Sequence, residues 1–431
     1  MNLPERIAIE ALRAGVPNRT AIRLMGNEHT AVELAFEHAL HAAWGEAPRA
    51  GIGIAGGFGA GKSHLLGYLA EVARSQRAVV SRIAISKETP LAQPAAVFAA
   101  ALRNAELPDS AEEPLGAALA ALRQDPARLQ ELEQEVGAPG SGFVPLFAAA
   151  LFLLRRTSTP PDLARSLERM LVGGPVPLSV LRRALAEAGA RGSFALARID
   201  PRELLAQRIA FLPLLFRAAG YGPWCLLLDE VELIGRYTPL QRALSYAELA
   251  AWLGLPGTRR VRGIVSVFAV TDDFVASVSN PKQDGERLPE RLRLKGRETE
   301  AMTAPAGIAA IEQAVREHRL APPEARDLVL CHDKLARLYT EAYGWPAPDL
   351  PPPARTGSGS MRQYIKGWIT QWDMLRVLGQ DGGLVAETLR INYDEDPDLD
   401  APPDAPPDAQ PDAPWDVLWD GPRSGPAEEA E

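Results

Sequence analysis

Cysteine is scarce: Cys225 and Cys331 are the only two in 431 residues. Two thiols cannot build a disulfide framework. Neither stands at metal-ligand spacing, since Cys331 has only His332 beside it, so a reducing, cytoplasmic compartment is expected. Long hydrophobic runs are also missing. The longest, residues 143–154, covers 12 residues and contains Pro145, against the roughly 20 that a membrane span needs. A buried helix is expected there, and no membrane association. The first six residues show no apolar secretory core. Of the six histidines, His38 and His41 fall at i,i+3 with no carboxylate or cysteine at ligand spacing, which argues against a metal centre. No Ser-His-Asp or Cys-His arrangement is legible.

Positive charge runs out at the C-terminal end. From residue 394 onward thirteen acidic residues stand against one arginine, Arg423, so this stretch carries −12 of a chain total of −9 and the remainder is +3. A nearly neutral globular part can touch nucleic acid, but bulk charge does not argue for it. The stretch repeats with a period of four (Ala401-Pro402-Pro403-Asp404, Ala405-Pro406-Pro407-Asp408), cannot build a core and is expected to be disordered. Trp415, Leu418 and Trp419 interrupt it, in a pattern suited either to docking on a partner or to nothing beyond solubility.

What the chain does have is Gly56-Gly57-Phe58-Gly59-Ala60-Gly61-Lys62-Ser63, followed by His64. This matches G-x-x-x-x-G-K-[ST], a loop whose backbone N–H groups cradle a polyphosphate. Lys62 supplies a mobile charge for the β- and γ-phosphates and Ser63 a hydroxyl for Mg²⁺, so ATP and Mg²⁺ are the expected ligands. His64 counts among the expected contacts by position, although its chemistry suits packing better. Ile52-Gly53-Ile54-Ala55 reads as a buried strand and residues 63–72 as a helix with its positive end towards the phosphates.

A second strand is expected over 78–85. Residues 87–224 are rich in Ala, Leu and Arg with helical periodicity, and about 91–222 read as a helical insertion. Leu226-Leu227-Leu228-Asp229-Glu230 reads as a buried parallel strand that delivers Asp229 to the metal shell and Glu230 to polarise an attacking water. Residues 263–270 form a further strand ending in Thr271, the candidate for sensing the γ-phosphate, with Asp272 second; a strand-ending turn is the alternative. Arginines must meet the charge that spreads over the transferred phosphoryl group. Arg287, Arg291 and Arg293 are placed to reach a neighbouring subunit, with Arg291 the chosen candidate. Gly359-Ser360-Met361-Arg362 resembles the start of the lid helix in initiator-type AAA+ proteins, which makes Arg362 a second candidate. Val16-Pro17-Asn18-Arg19 lies where such ATPases pack the adenine, or is simply a joint between two helices over 3–14 and 28–44.

The fold class expected is α/β: a P-loop, AAA+-like three-layer αβα core over 1–304 that includes the insertion, a helical lid over 305–393 and the acidic tail over 394–431. Four segments carry a narrower resemblance: residues 55–66 around the loop, Ile85-Ser86-Lys87-Glu88-Thr89-Pro90-Leu91, Leu228-Asp229-Glu230-Val231-Glu232-Leu233, and Ser245-Tyr246-Ala247-Glu248-Leu249-Ala250. Together they resemble the BrxD family of ATP-binding proteins from BREX-type (phage growth limitation) antiviral islands, over roughly residues 5–378. The resemblance implies an ATPase working beside a DNA methyltransferase, a phosphatase-like protein and a larger ATPase in discriminating phage from host DNA. The leading expectation is a motor or switch that hydrolyses ATP as a homo-oligomer and acts on double-stranded DNA or on a DNA-bound partner. A nucleotide-gated scaffold with little hydrolysis is the competing expectation.

Overall fold

In the computed structural model, which describes residues 3–27, 29–46, 50–108, 112–175, 177–352, 360–379, 393–396 and 399, the chain begins with three helices, α1 (Leu3–Ala14), α2 (Arg19–Met25) and α3 (Thr30–Ala42). The sequence pattern alone suggests no helix at α2. It forms because the Asn18 side chain accepts the Ala21 N–H at 3.1 Å and Gly26 closes the other end at φ 69°. There follow β1 (Ile52–Gly56), α4 (Lys62–Ser75), β2 (Val79–Ala84), α5 (Pro94–Arg103) and a two-residue β3 (Ala105–Glu106).

Residues Ala111–Gly222 form a compact unit of their own. Its helices are α6 (Pro114–Gln124), α7 (Pro126–Gly137), α8 (Pro145–Leu154), α9 (Pro161–Val172), α10 (Leu178–Glu187) and α11 (Pro201–Ala218). Five of the six start on proline, whose missing N–H costs nothing in the first turn, so the prolines that punctuate this region act as helix starts. All but the first two residues of the apolar run 143–154 form α8, buried along most of its length and packed through Phe147 against Phe211 of α11 at 5.0 Å between ring centroids. The expected start of the insertion at residue 91 is too early: α5 and β3 belong with the sheet, β3 pairing antiparallel with β2.

The sheet resumes with β4 (Trp224–Asp229), a 3₁₀ turn over Val231–Arg236, α12 (Pro239–Trp252) and β5 (Ile264–Val270). A π-helical turn over Val275–Ser279 then leads to the single turn α13 (Asn280–Lys282), α14 (Asp284–Leu294), α15 (Glu298–Glu317), β6 (Arg319–Leu320), α16 (Ala325–Tyr343) and α17 (Met361–Leu378). Strand order is β3-β2-β4-β5-β1-β6, parallel throughout except for β3. β5 thus lies between β1 and β4, with Ala55 opposite Val270 and Leu228 opposite Phe268. The C-terminal ends of β1, β4 and β5 consequently share one edge, where ligands of open parallel sheets gather.

Helices cover both faces. Ile52, Ile54, Val80, Cys225, Leu227 and Val267 pack against Phe36 and Leu40 of α3 and Leu65, Leu66 and Leu69 of α4. On the other face Ser266 Oγ donates to the Trp252 carbonyl of α12 at 2.6 Å. Trp224 Nε1 donates to Ser81 Oγ (2.9 Å), which donates to the Ala101 carbonyl of α5 (2.6 Å), so these two buried side chains are satisfied, whereas Trp252 Nε1 has no partner among the described residues. The Ser245-Tyr246-Ala247 segment has a local use here: Tyr246 and Arg242 of α12 both bond the fully buried Asp284 carboxylate, Arg242 through two nitrogens at 2.9 Å.

Two expectations need correction. A core–lid boundary at 304/305 falls inside α15, an unbroken 20-residue helix that packs on α12 and β1. The helical bundle beyond it is built from both ends of the chain: α16 and α17 share a core with α1 and α2 through Ile9, Ala21, Leu335, Tyr339, Trp368 and Trp372. The acidic stretch is also not free from its first residue. Asp396 N–H donates to the Arg236 carbonyl at 2.9 Å, and the Asp396 carboxylate pairs with Arg236 at 2.6 Å. Apart from Leu399, the rest of that stretch, with Trp415, Leu418 and Trp419, lies outside the described residues, as does Gly359.

Candidate functional site

β1 ends at Gly56 and α4 begins at Lys62, so the Gly-rich loop is the link between a buried strand and a helix N-terminus. Gly59 (φ 78°) and Gly61 (φ 105°) hold the left-handed backbone that residues with a Cβ rarely adopt. Lys62 is 8% exposed, and its ammonium donates to the Gly56 carbonyl at 2.8 Å and the Gly57 carbonyl at 3.4 Å. It lies 3.9 Å from Glu232. The Ser63 hydroxyl makes no hydrogen bond among the described residues. Arg82 of β2 donates to the Ser63 carbonyl at 3.4 Å; burial lowers its pKa, with Asp229 opposing the shift.

From β4 the chain delivers three acids. Asp229 closes the strand, and one of its oxygens accepts the Glu230 N–H at 3.0 Å. Glu230 sits at φ 60°, ψ 32°, a left-handed conformation that turns the chain sharply into the 3₁₀ segment. Its pKa is raised above 4.5 by partial desolvation and by the Asp229 carboxylate, with Lys62 opposing. The same turn brings Glu232 back beneath Lys62. Glu232 is 9% exposed, its Oε2 has no hydrogen-bond partner, and burial pushes its pKa up to about 7 against the pull of Lys62.

β5 brings Thr271, 2% exposed, to the same edge, one residue beyond the pairing of Ala55 with Val270. Thr271 Oγ1 is 2.6 Å from the Tyr393 hydroxyl, which donates to Asp273 Oδ1 at 3.1 Å. Asp272 pairs with Arg319 at 2.7 Å and flanks Gly57. From the helical bundle, Ser360 and Gln363 cap α17 reciprocally. The Arg362 N–H donates to the Gly59 carbonyl at 3.4 Å, and its guanidinium lies 5.3 Å from the Phe58 ring centroid. A Cβ at Gly15 would stand 3.1 Å from Arg362 Nε, which places the α1–α2 joint, with half-exposed Val16 beside it, next to the loop.

Lys62, Ser63, Asp229, Glu230, Thr271 and Arg362 therefore converge on one sheet edge. Two expected residues do not. His64 is taken up by packing: its ring nitrogen bonds the Gly26 carbonyl at 2.9 Å and burial lowers its pKa, so it ties α4 to α2. Arg291, with Arg287 and Arg293, stands exposed on α14 with no ion pair among the described residues and no contact to the loop. Two further groups were not singled out by the sequence pattern. Glu232 was visible as part of an acidic run, but Tyr393 carried no signal, lying 122 residues from Thr271.

A Mg²⁺ ion suits this donor set. Ser63 and Asp229 offer two hard oxygens beside a phosphate-binding loop, and Mg²⁺ completes its shell with water and phosphate oxygens. No cation lies within ion-pair distance of Asp229 among the described residues, so its free oxygen remains available.

The family model described as "BREX system ATP-binding protein BrxC/D" matches residues 4–138. No curated protein and no solved structure matches the chain. The matched segment contains the Gly-rich loop and the Ser86–Pro90 turn, in which the Ser86 and Thr89 backbones bond each other and Ser86 Oγ donates to Glu88. It stops before Asp229-Glu230. Over residues 4–138 the chain is thus similar to the BREX system ATP-binding proteins BrxC/D, in agreement with the resemblance drawn from the sequence there.

Proposed function

We propose that the chain binds and hydrolyses ATP as an AAA+-like motor or switch within an anti-phage defence assembly, acting on double-stranded DNA or on a DNA-bound partner. The observation that carries this reading is the convergence of Lys62, Ser63, Asp229, Glu230 and Thr271 at one sheet edge with Arg362 reaching the loop from the helical bundle. The position of β5 between β1 and β4 supports the AAA+-like assignment, because it sets a polar strand end between the phosphate loop and the acidic pair.

In this reading the loop N–H groups of residues 56–61 and the N-terminus of α4 hold the phosphates, and Lys62 leaves the Gly56 and Gly57 carbonyls for the phosphate oxygens. Ser63 and Asp229 would hold Mg²⁺, which would supply charge neutralisation to the bound phosphates. Glu230 accepts a proton from the attacking water; its raised pKa makes it a stronger base than an ordinary surface carboxylate. Thr271 donates to the terminal phosphate or to that water, and Arg362 meets the charge developing on the transferred group. Arg291, exposed and without an ion pair among the described residues, serves the site of a second copy of the chain, which makes the working form a homo-oligomer. The methyltransferase, the phosphatase-like protein and the larger ATPase implied by the resemblance are its partners.

ATP turnover of the native chain and of Glu230→Gln, with and without double-stranded DNA, tests this. Loss of about 10²–10⁴-fold on substitution is expected, the range that a positioned general base supplies. DNA stimulation that the substitution abolishes identifies a DNA-acting motor. Tight binding with negligible turnover in both proteins under both conditions leaves a nucleotide-gated scaffold instead.

A further inference from the structure

Residues 393–396, the start of the acidic stretch, are seated on the face of the molecule that carries Thr271 and the 3₁₀ turn. Tyr393 fills a niche whose floor is Gly235, where a Cβ would lie 3.0 Å from Tyr393 Cδ1, and whose wall is Phe274, edge-on at 6.2 Å. Lys282 donates to both the Gly235 carbonyl (2.9 Å) and the Tyr393 carbonyl (3.3 Å), clamping the two segments together. Glu395 lies 3.6 Å from Arg242 and 3.7 Å from Lys282, and Asp396 is bonded twice to Arg236.

Proton bookkeeping at Tyr393 gives this contact a consequence. A phenol has one proton, and here it goes to the Asp273 carboxylate, which can only accept. The 2.6 Å contact to Thr271 then requires Thr271 to donate its own single proton to the Tyr393 oxygen. While Tyr393 is seated, that proton cannot be given to anything else.

We propose that Tyr393–Asp396 is a latch on the nucleotide site, holding the Thr271 hydroxyl at rest and leaving when a terminal phosphate claims it. The proposal rests on the reading of Thr271 as a γ-phosphate contact. The latch is built to release. Its ion pairs are partly exposed, with Arg236 at 37% and Glu395 at 45%, and such pairs hold weakly. It also grips two parts of the site at once, the end of β5 through Thr271 and the Glu232-bearing turn through Gly235 and Arg236.

Hydrogen exchange on the full-length chain carrying Glu230→Gln, with and without Mg²⁺ and ATP, tests the latch while a fluorescent ATP analogue reports binding on the same sample. The Asp396 amide, bonded to the Arg236 carbonyl, is the reporter. Exchange across 393–396 is expected to rise about fivefold or more with ATP. Tyr393→Phe keeps the ring in its niche but returns the Thr271 proton, so turnover in the otherwise native chain is expected to rise about threefold or more. ATP binding with unchanged exchange overturns the latch and leaves the site reading intact. Failure to bind ATP overturns the site reading and the latch with it. A fall in turnover with Tyr393→Phe also overturns the latch, because it makes the hydroxyl a support of the site and not a restraint.

Discussion

Glu232 has few means of staying ionised. It is 9% exposed, one oxygen is unpaired, and Lys62 at 3.9 Å offsets only part of the desolvation. With a pKa pushed up to about 7 from 4.5, the folded chain keeps a proton at this site over a range in which the unfolded chain has lost it. The contribution to stability is therefore fully present below pH 4.5 and declines as pH rises through 7, by about 3 kcal/mol in all. Glu232→Gln removes the titration, so its stability relative to the native chain should increase from pH 5 to pH 8 by a similar amount, measured by urea unfolding at fixed ionic strength. Parallel pH profiles for the two proteins would place that proton on another group. The sequence reveals the acids of Asp229-Glu230-Val231-Glu232 but not their division of labour. That division depends on Glu230 adopting φ 60°, a backbone choice that composition does not announce.

Among the elements, the strand–loop–helix unit and the acidic strand β4 were legible because each is written locally: apolar residues, then the groups their ends must deliver. α2 was not, because a single side-chain cap at Asn18 decides it. Nor was the contact between α17 and the loop, in which Arg362 meets Gly59 from 303 positions along the chain. Gly59 is its fulcrum, since a Cβ there would stand 2.8 Å from Ser360 Oγ while φ remains at 78°. Gly59→Ala is expected to cost about 1–2 kcal/mol of stability through the left-handed backbone alone. It should also raise the Kd for ATP by about tenfold as α17 and Arg362 are pushed off the loop, the equivalent of 1.4 kcal/mol. Thermal unfolding and equilibrium nucleotide binding read the two effects separately. Loss of stability with unchanged affinity would show that Arg362 does not reach the nucleotide. Asn18→Ala isolates the neighbouring element: loss of the α2 cap should cost about 1 kcal/mol. Arg19 and Arg23 of α2 pair with Glu71 of α4 at 2.8 and 2.7 Å, so fraying of α2 should be felt at α4, measurable as faster exchange of α4 amides.

At the scale of the whole molecule the open question is what the exposed face of α14 meets. Arg287 and Arg291 lie one helical turn apart with Leu294, 81% exposed, on the same face, and neither arginine has an ion pair among the described residues. The helix itself is anchored firmly, because Asp284 at its start is held by Arg242 and Tyr246 in the interior. A rigid helix that presents unpaired arginines is suited to completing a site on another copy of the chain, in a head-to-tail contact. If Arg291 acts there, Arg291→Ala should abolish turnover while leaving ATP binding unchanged, and Glu230→Gln should do the same for a different reason. The two defects sit on opposite sides of the shared site. In a one-to-one mixture some junctions would pair an intact Glu230 from the first protein with an intact Arg291 from the second, restoring up to about a quarter of native turnover. No recovery in the mixture, with oligomer formation verified by light scattering, would remove Arg291 from the site and turn attention to Arg287 and Arg293. Recovery would establish both that the chain works as an assembly and that its catalytic charge is completed in trans.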